Sequence, residues 1–290
     1  MNNFAIACMS GSLKGVFIQG VLTAFEEANI KADAYAGCSS STLPASYAAI
    51  GELNNIDQSF WENDEEILKQ PGNSMSNVVL SGIDRYSDKV IEKLNSSSSS
   101  RLMIVCSFVN TTEAAKQTQG DQAVTLGRKL VIQGARKITG WKDKNLELQV
   151  FDTDSCNEEL KITPANYKEV AYATTRMLHA WHIPATINGK PFIDGSYTCL
   201  IPVEQLAERG YKNIIAIATE TGEIAKDFFS SETIGNNVKD SIVHWIKPEV
   251  NLKELGVDYT KASKEGIKKV FRYGLEKGNG FIDNNFNITP

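Results

Sequence analysis

Histidine, cysteine and clustered positive charge are all scarce in this chain. Its 290 residues include three histidines and five cysteines. Cys8, Cys38, Cys106, Cys156 and Cys199 are odd in number, widely scattered and never arranged as CxxC. That pattern argues against a disulfide framework or a zinc site and for buried free thiols in a reducing compartment. No basic block exists: 30 Lys and Arg stand against 35 Asp and Glu, for a net charge of −5. Nucleic-acid binding rests on neutralising phosphates, so the chain is a poor fit for it. Long apolar runs are missing too. Phe4–Met9 is too short for a signal-peptide core or a membrane span, and no positive charge precedes Lys14. A cytoplasmic protein is the expectation. Apolar residues at 42% and charged residues at 22% match a soluble globular average and exclude disordered, collagen-like and coiled-coil chains.

What is present is an alternation of short apolar runs and helical patterns. Phe4–Met9 fits a buried parallel strand, and the loop Ser10–Gly15 follows it. Val16, Gln19, Val21, Leu22 and Phe25 then fall at helical spacing, so 15–28 reads as a helix. A second strand at Asp33–Gly37 leads into a small-residue helix over Ser40–Ile50 that Gly51 stops. Later strands are expected at 102–108, 146–151 and 214–219, the last after a short helix over Val203–Arg209. This order predicts an α/β fold with a mostly parallel central sheet. Length alone suggests about two domains of ~150 residues, but an α/β domain of this size is common, and one domain over 1–290 is the expectation. Residues 52–100 are polar and weakly patterned, with Pro71-Gly72 and five serines at Ser96–Ser100, and read as a flexible connector, lid or insertion. Residues 223–290 read as a C-terminal helical portion. There, 260–278 forms a basic helix with Ile267, Val270, Phe271 and Leu275 on one face. It either packs on the core or lies on a membrane surface.

Three stretches carry candidate chemistry. Gly37-Cys38-Ser39-Ser40-Ser41 lies between a strand and a helix. A nucleophilic serine needs a strained strand-to-helix turn that lifts its Oγ out of the sheet at a helix N-terminus. A serine-rich helix cap is the alternative at that pentapeptide. Gly11-Ser12-Leu13-Lys14-Gly15 follows the first strand, where successive amides can cradle an anion. It matches neither a Walker A loop nor G-x-G-x-x-G, which leaves an oxyanion hole or a plain tight turn. Ile193-Asp194-Gly195-Ser196, preceded by an Asn188-Gly189 turn, puts a carboxylate at a strand end. An ordinary Asp-Gly turn is again the alternative.

Together, in this order, the three resemble the patatin-like phospholipase family, whose pattern is a glycine-rich oxyanion loop with a basic residue, a G-x-S-x-G serine and a distant Asp-Gly. The likeness extends through Gly15–Leu22, Ala173–Ser196, Ile201-Pro202-Val203, Gly210–Ala218 and Leu255–Gly274, and is weakest over 52–150. It implies a three-layer α/β/α fold, Ser39 as nucleophile and Asp194 as its base in a two-residue dyad. It implies backbone N–H groups of Gly11, Ser12, Leu13, Lys14 and Ser40 as the oxyanion hole, with Gly15, Gly37, Ser41 and Gly195 supporting the turns. The chain departs from the pattern at Ser12, where a second glycine is usual, and at Ser41, which closes the elbow in place of glycine. No cofactor or metal is implied. The substrate implied is a phospholipid, lysophospholipid or other acyl ester, met with transient contact at a membrane surface.

The histidines offer little competition. A Ser-acid-His chain order would need His244, which sits beside Trp245, and His179 and His182 have no carboxylate or cysteine at metal-ligand spacing. A carboxylate with an ordinary pKa is a weak base at neutral pH, so Asp194 is expected in a desolvated pocket within reach of Ser39 Oγ. Lys14 is expected to point away from the oxyanion and pin its loop. Two other functions use the same residues or none of them: an acyltransferase or non-lipid esterase, and a catalytically dead binding protein.

Overall fold

The structure, a computed structural model, describes residues 3–62 and 65–286. Residues 63–64 of the predicted stretch 52–100, and residues 287–290 of the stretch 223–290, therefore lie outside the described residues.

The first strand shows why the sheet is central. In β1 (Phe4–Cys8) every residue is buried: Phe4, Ile6 and Cys8 enter one apolar cluster, Ala5 and Ala7 the other. A strand that is apolar on both faces needs helices on both faces. Five strands run parallel in the order β3 (Arg101–Val109), β2 (Ala34–Cys38), β1, β7 (Asn213–Ile217) and β9 (Ser241–Ile246). Four antiparallel strands finish the sheet: β4 (Leu146–Asp152) and β6 (Lys190–Ile193) on β3, β5 (Thr186–Ile187) on β6, and β8 (Asn237–Val238) on β9. The result is a three-layer α/β/α arrangement; its mostly parallel sheet is what the strand-helix alternation predicts, and its layering what the resemblance implies.

One face carries α1 (Gly15–Glu27), α2 (Thr42–Ile50), α3 (Glu65–Lys69), α4 (Met75–Lys93), and, later in the chain, α8 (Tyr167–Thr175) and α10 (Lys264–Asn285). Between them in sequence come α5 (Thr112–Gln119), α6 (Ala123–Ala135) and α7 (Gly140–Asn145), which with Tyr197 and Phe229 build a smaller cluster. The other face is covered by α9 (Val203–Glu208), whose Val203 and Leu206 pack on the alanines of β1. Helices α1 and α10 cross at glycines. A Cβ on Gly20 would lie 2.2 Å from the Phe271 carbonyl oxygen, and one on Gly274 2.3 Å from that of Phe17.

Two expectations need correction, and the two readings of α10 are decided in favour of packing on the core. The 52–100 stretch is not a connector. It contains the 19-residue helix α4, opened by a reciprocal Ser74–Asn77 cap, and Ser99 and Ser100 of the serine run hydrogen-bond to Lys93 and Ala32 carbonyls. The low overall hydropathy of α4 hid a stripe formed by Ile83, Tyr86 and Val90. The 223–290 portion is not all helical, because 241–246 forms β9 and extends the sheet. The apolar side of α10 is not a free membrane-facing surface: Ile267 and Val270 are buried, while Lys264, Lys268 and Lys269 are exposed. Among the described residues, no helix is long and apolar enough to cross a membrane.

Candidate active site

Strand pairing alone brings the two key residues together. β4 takes one edge of β3 along 103–109, so β2 and β6 must share the other. β2 runs parallel to β3 and ends with Cys38 opposite Val105; β6 runs antiparallel and ends with Ile193 opposite Ser107. The two strands therefore meet end to end. The next residue of each is Ser39 or Asp194, and Ser39 Oγ donates a 2.8 Å hydrogen bond to Asp194 Oδ2.

The turn at Ser39 is strained. Its φ of 55° lies in the left-handed region that side-chain-bearing residues avoid. Several neighbours hold it there. The Ser39 amide donates to Thr174 Oγ1 at 2.9 Å, and Thr174 Oγ1 in turn donates to the Val105 carbonyl at 2.6 Å. Ser41 Oγ accepts the Cys38 amide at 3.0 Å and lies 2.9 Å from both the Cys8 and Cys38 carbonyl oxygens. The residue that departs from glycine thus ties the ends of β1 and β2 together. Gly37 is needed for closeness, since a Cβ there would sit 2.9 Å from Thr42 Cα and 3.2 Å from the Ser41 carbonyl oxygen. Gly195 is tighter still, with a Cβ position 2.3 Å from the Val105 carbonyl oxygen.

Asp194 is fully buried behind Ser39. It caps the short turn Gly195–Tyr197, with Oδ1 accepting the Ser196 amide at 2.8 Å and the Ser196 hydroxyl at 2.6 Å. Its own backbone is fixed by the Arg176 carbonyl, which accepts the Asp194 amide, and by Ser107 Oγ, which donates to the Asp194 carbonyl at 2.7 Å. Burial pushes the carboxyl up from 3.8 to about 6, against the opposing pull of the Ser196 and Ser39 hydrogen bonds. A carboxylate with that pKa, hydrogen-bonded to a serine hydroxyl, can take its proton.

The glycine-rich loop forms a single turn, Ser12–Lys14, that opens α1. The Lys14 amide donates to the Gly11 carbonyl at 3.0 Å and is not available as an oxyanion donor. The Gly11, Ser12, Leu13 and Ser40 amides have no protein acceptor among the described residues. Of these four residues, Ser12, Leu13 and Ser40 line a cavity of about 300 Å³ that Ser39 also faces; Gly11 does not line it. Lys14 is buried and turned to Glu220, its Nζ 2.6 Å from Oε1 and 4.2 Å from the Tyr259 ring centroid. The Tyr259 hydroxyl donates to the same Glu220 oxygen at 2.6 Å. Gly15 lets Trp61 settle on the loop, for a Cβ there would lie 2.4 Å from the indole. Trp61 Nε1 donates to Gln19 Oε1 at 2.5 Å, which fixes this wall to α1.

The cavity wall is mostly apolar: Leu13, Leu43, Phe60, Trp61, Val79 and Ile83 are among its residues, and much of it comes from 59–62 and 75–87. His179 also lines it, with an imidazole that burial and nearby Arg128 hold below its usual pKa. His244 is elsewhere. It lies on β9, three strands from β2, edge-on to Phe281. Of the cysteines, Cys8, Cys38, Cys106 and Cys199 are buried and free, and burial raises their thiols; Cys156 is free but exposed. Among the described residues no group of three metal-ligating side chains converges.

Sequence reading missed Thr174, Ser107 and Arg176, which orient Ser39 and Asp194 from a helix end and a neighbouring strand. Only Ser196 carried a signal, as an Asp-x-Ser cap.

No family model matches the chain, and no curated protein matches it. Among solved structures, one with a similar course is VipD from Legionella pneumophila, 12% identical with a TM-score of 0.46. The match covers 97% of this chain and 66% of VipD, so the chain spans just under two thirds of that protein's length.

Proposed function

We propose that the protein is a metal-independent serine hydrolase of fatty-acyl esters, with phospholipids or lysophospholipids as substrates and transient contact at a lipid surface. The observation that carries this reading is the 2.8 Å bond from Ser39 Oγ to the buried carboxylate of Asp194, at the mouth of an apolar cavity. The patatin-like motif order supports it independently of the geometry.

In this mechanism Asp194 Oδ2 accepts the Ser39 proton as Oγ attacks the ester carbonyl carbon. The resulting oxyanion is received by the unpartnered amides of Ser12, Leu13 and Ser40, each donor contributing on the order of 3 kcal/mol. The carbon–oxygen bond to the alcohol then breaks, and Asp194 returns its proton to the departing alkoxide. Water completes the cycle: Asp194 removes one proton, the hydroxide attacks the acyl carbon, and the proton passes to Ser39 Oγ as the acid leaves. The wall built from 59–62 and 75–87 excludes water and receives the acyl chain, in the position of a lid.

Lipid product profiling by mass spectrometry, comparing the wild type with Ser39→Ala, tests the proposal. Release of free fatty acid by the wild type alone is expected, with fluorophosphonate labelling lost in the variant. Labelling retained without Ser39 would overturn it. An alcohol acceptor competing with water in the same assay separates hydrolase from acyltransferase.

A further inference from the structure

The chain's net charge of −5 hides a local excess of the opposite sign. From Gln122 to Lys142 there is no Asp or Glu, against five Lys or Arg. Lys142 is paired with Asp143 and Asp227. The other four, Arg128, Lys129, Arg136 and Lys137, are exposed, and none of them forms an ion pair among the described residues. They make no continuous run in the sequence; the helix gathers them. In α6, Ala123, Gly127, Leu130 and Gly134 form the stripe buried against the protein. At about 3.6 residues per turn, Ile132 falls opposite that stripe, with Arg128 and Lys129 one turn before it and Arg136 one turn after.

The turn that ends α6 adds a second apolar side chain. Lys137 takes a φ of 56°, in the left-handed region, and the Ile138 amide donates to the Gln133 carbonyl at 2.9 Å. Ile138 therefore folds back beside the last turn of the helix. Ile132 and Ile138 are 53% and 45% exposed, among the most exposed large apolar side chains of the described residues. This face borders the catalytic cavity. A Cβ on Gly127 would lie 2.3 Å from the His179 amide nitrogen, so α6 rests on Leu178–His179. His179, Ala180 and Trp181 line the cavity and are half-buried, which makes them part of its rim. Ile132 stands five residues beyond Gly127, about 8 Å farther along the helix axis.

Unpaired cations around branched aliphatic side chains suit one kind of partner. Each Lys or Arg held near a bilayer of negative surface potential strengthens binding roughly fivefold. An exposed isoleucine between them gains by entering the boundary of head groups and acyl chains. A convex helix and its end offer a folded protein no pocket for an anchor side chain, whereas they fit a flat, fluid surface. We propose that α6 and the turn after it are the protein's docking surface for an anionic lipid bilayer, which brings the cavity rim to the membrane. The docking stands apart from the hydrolase reading; its use in catalysis rests on that reading.

Co-sedimentation of the full chain with vesicles tests this, comparing phosphatidylcholine alone with a mixture holding roughly one third phosphatidylserine. Binding to the anionic vesicles is expected to be about tenfold tighter or more, and to weaken as salt is raised. Lys129→Gln combined with Arg136→Gln should weaken it about tenfold, and Ile132→Ser about fivefold. All three side chains are exposed, so thermal melting of both variants should match the wild type. Hydrolysis of soluble para-nitrophenyl butyrate should be unchanged in both, while hydrolysis of vesicle lipid falls with binding. Equal binding to neutral and anionic vesicles, or anionic binding that survives both variants, would overturn the inference and leave the hydrolase reading intact. Binding to soluble polyglutamate without binding to vesicles would also overturn it, in favour of an acidic protein partner. Anionic-vesicle binding that depends on these residues, in a protein that turns over no ester, keeps the docking surface and ends the hydrolase reading.

Discussion

Thr174 accepts the backbone amide of Ser39 at 2.9 Å, from a helix that shares no sequence neighbourhood with the elbow. The same hydroxyl donates to the Val105 carbonyl at 2.6 Å. One side chain therefore satisfies β3 and holds the left-handed turn at once. Thr174→Val keeps the shape and removes both bonds. We expect a loss of about 1–3 kcal/mol in stability, since a buried carbonyl is left unpaired. kcat for ester hydrolysis should fall with KM little changed. Urea denaturation and steady-state kinetics on the same preparation check both.

The pH profile follows from Asp194. Its carboxyl must be ionised to act as a base, and burial places its pKa at about 6. kcat/KM should therefore be flat above that value and fall about tenfold per pH unit below it. The stability effect has the opposite sense. A folded-state pKa above the ordinary 3.8 means that the folded protein binds more protons across the interval from 3.8 to about 6. This group's contribution to stability then declines as pH rises through that interval and is constant beyond it. Asp194→Asn should abolish turnover and flatten this part of the stability curve. A normal rate in that variant would remove Asp194 from the mechanism.

Ser41→Gly restores the residue more usual in such an elbow, yet here it should do harm. The Ser41 hydroxyl links Cys8 and Cys38, the last residues of β1 and β2. Its removal is expected to cost about 1–2 kcal/mol and to slow labelling of Ser39 by a fluorophosphonate. A variant as stable and as reactive as the wild type would show that the backbone holds the turn unaided.

Lys14→Met tests the loop from its other side. Loss of the ammonium leaves Glu220 and Tyr259 without their cation, with Glu220 partly exposed and able to rehydrate. A modest destabilisation, about 1–2 kcal/mol, is expected. The clearer effect should be on kcat, because the Ser12 and Leu13 amides lose their anchor. Gln at the same position should recover less than Arg.

Gly20→Ala probes the packing of α1 on α10. The added carbon meets the Phe271 carbonyl oxygen at 2.2 Å, so one helix must shift. A loss of about 1–3 kcal/mol, read from thermal melting, is expected for such overpacking.

Sequence made much of the framework legible because its signals are local. β1, β2 and the helices after them follow from apolar runs and small residues, and the Asn188-Gly189 turn marks the strand before Asp194. The site was readable as three separate motifs, and the strand pairing explains why they converge. What stayed hidden depends on distance along the chain. Thr174 and Ser107 look like any threonine or serine until β3 and α8 are packed. β9 escaped because alternation in Ser241–Ile246 is imperfect, with Ile242 exposed at the sheet surface. The stripe on α4 escaped because it is narrow and lies within a polar segment.

Asp194 has no contact with bulk water, and its one free-facing oxygen touches only the serine hydroxyl. Any proton it exchanges with the surroundings must pass beside Ser39, whether it belongs to that hydroxyl, to a departing alcohol or to a water held there. An occupant seated over that hydroxyl therefore seals the pair, trapping whichever ionisation state it found on arrival. Acidity in the surroundings would be read before capture and ignored until release.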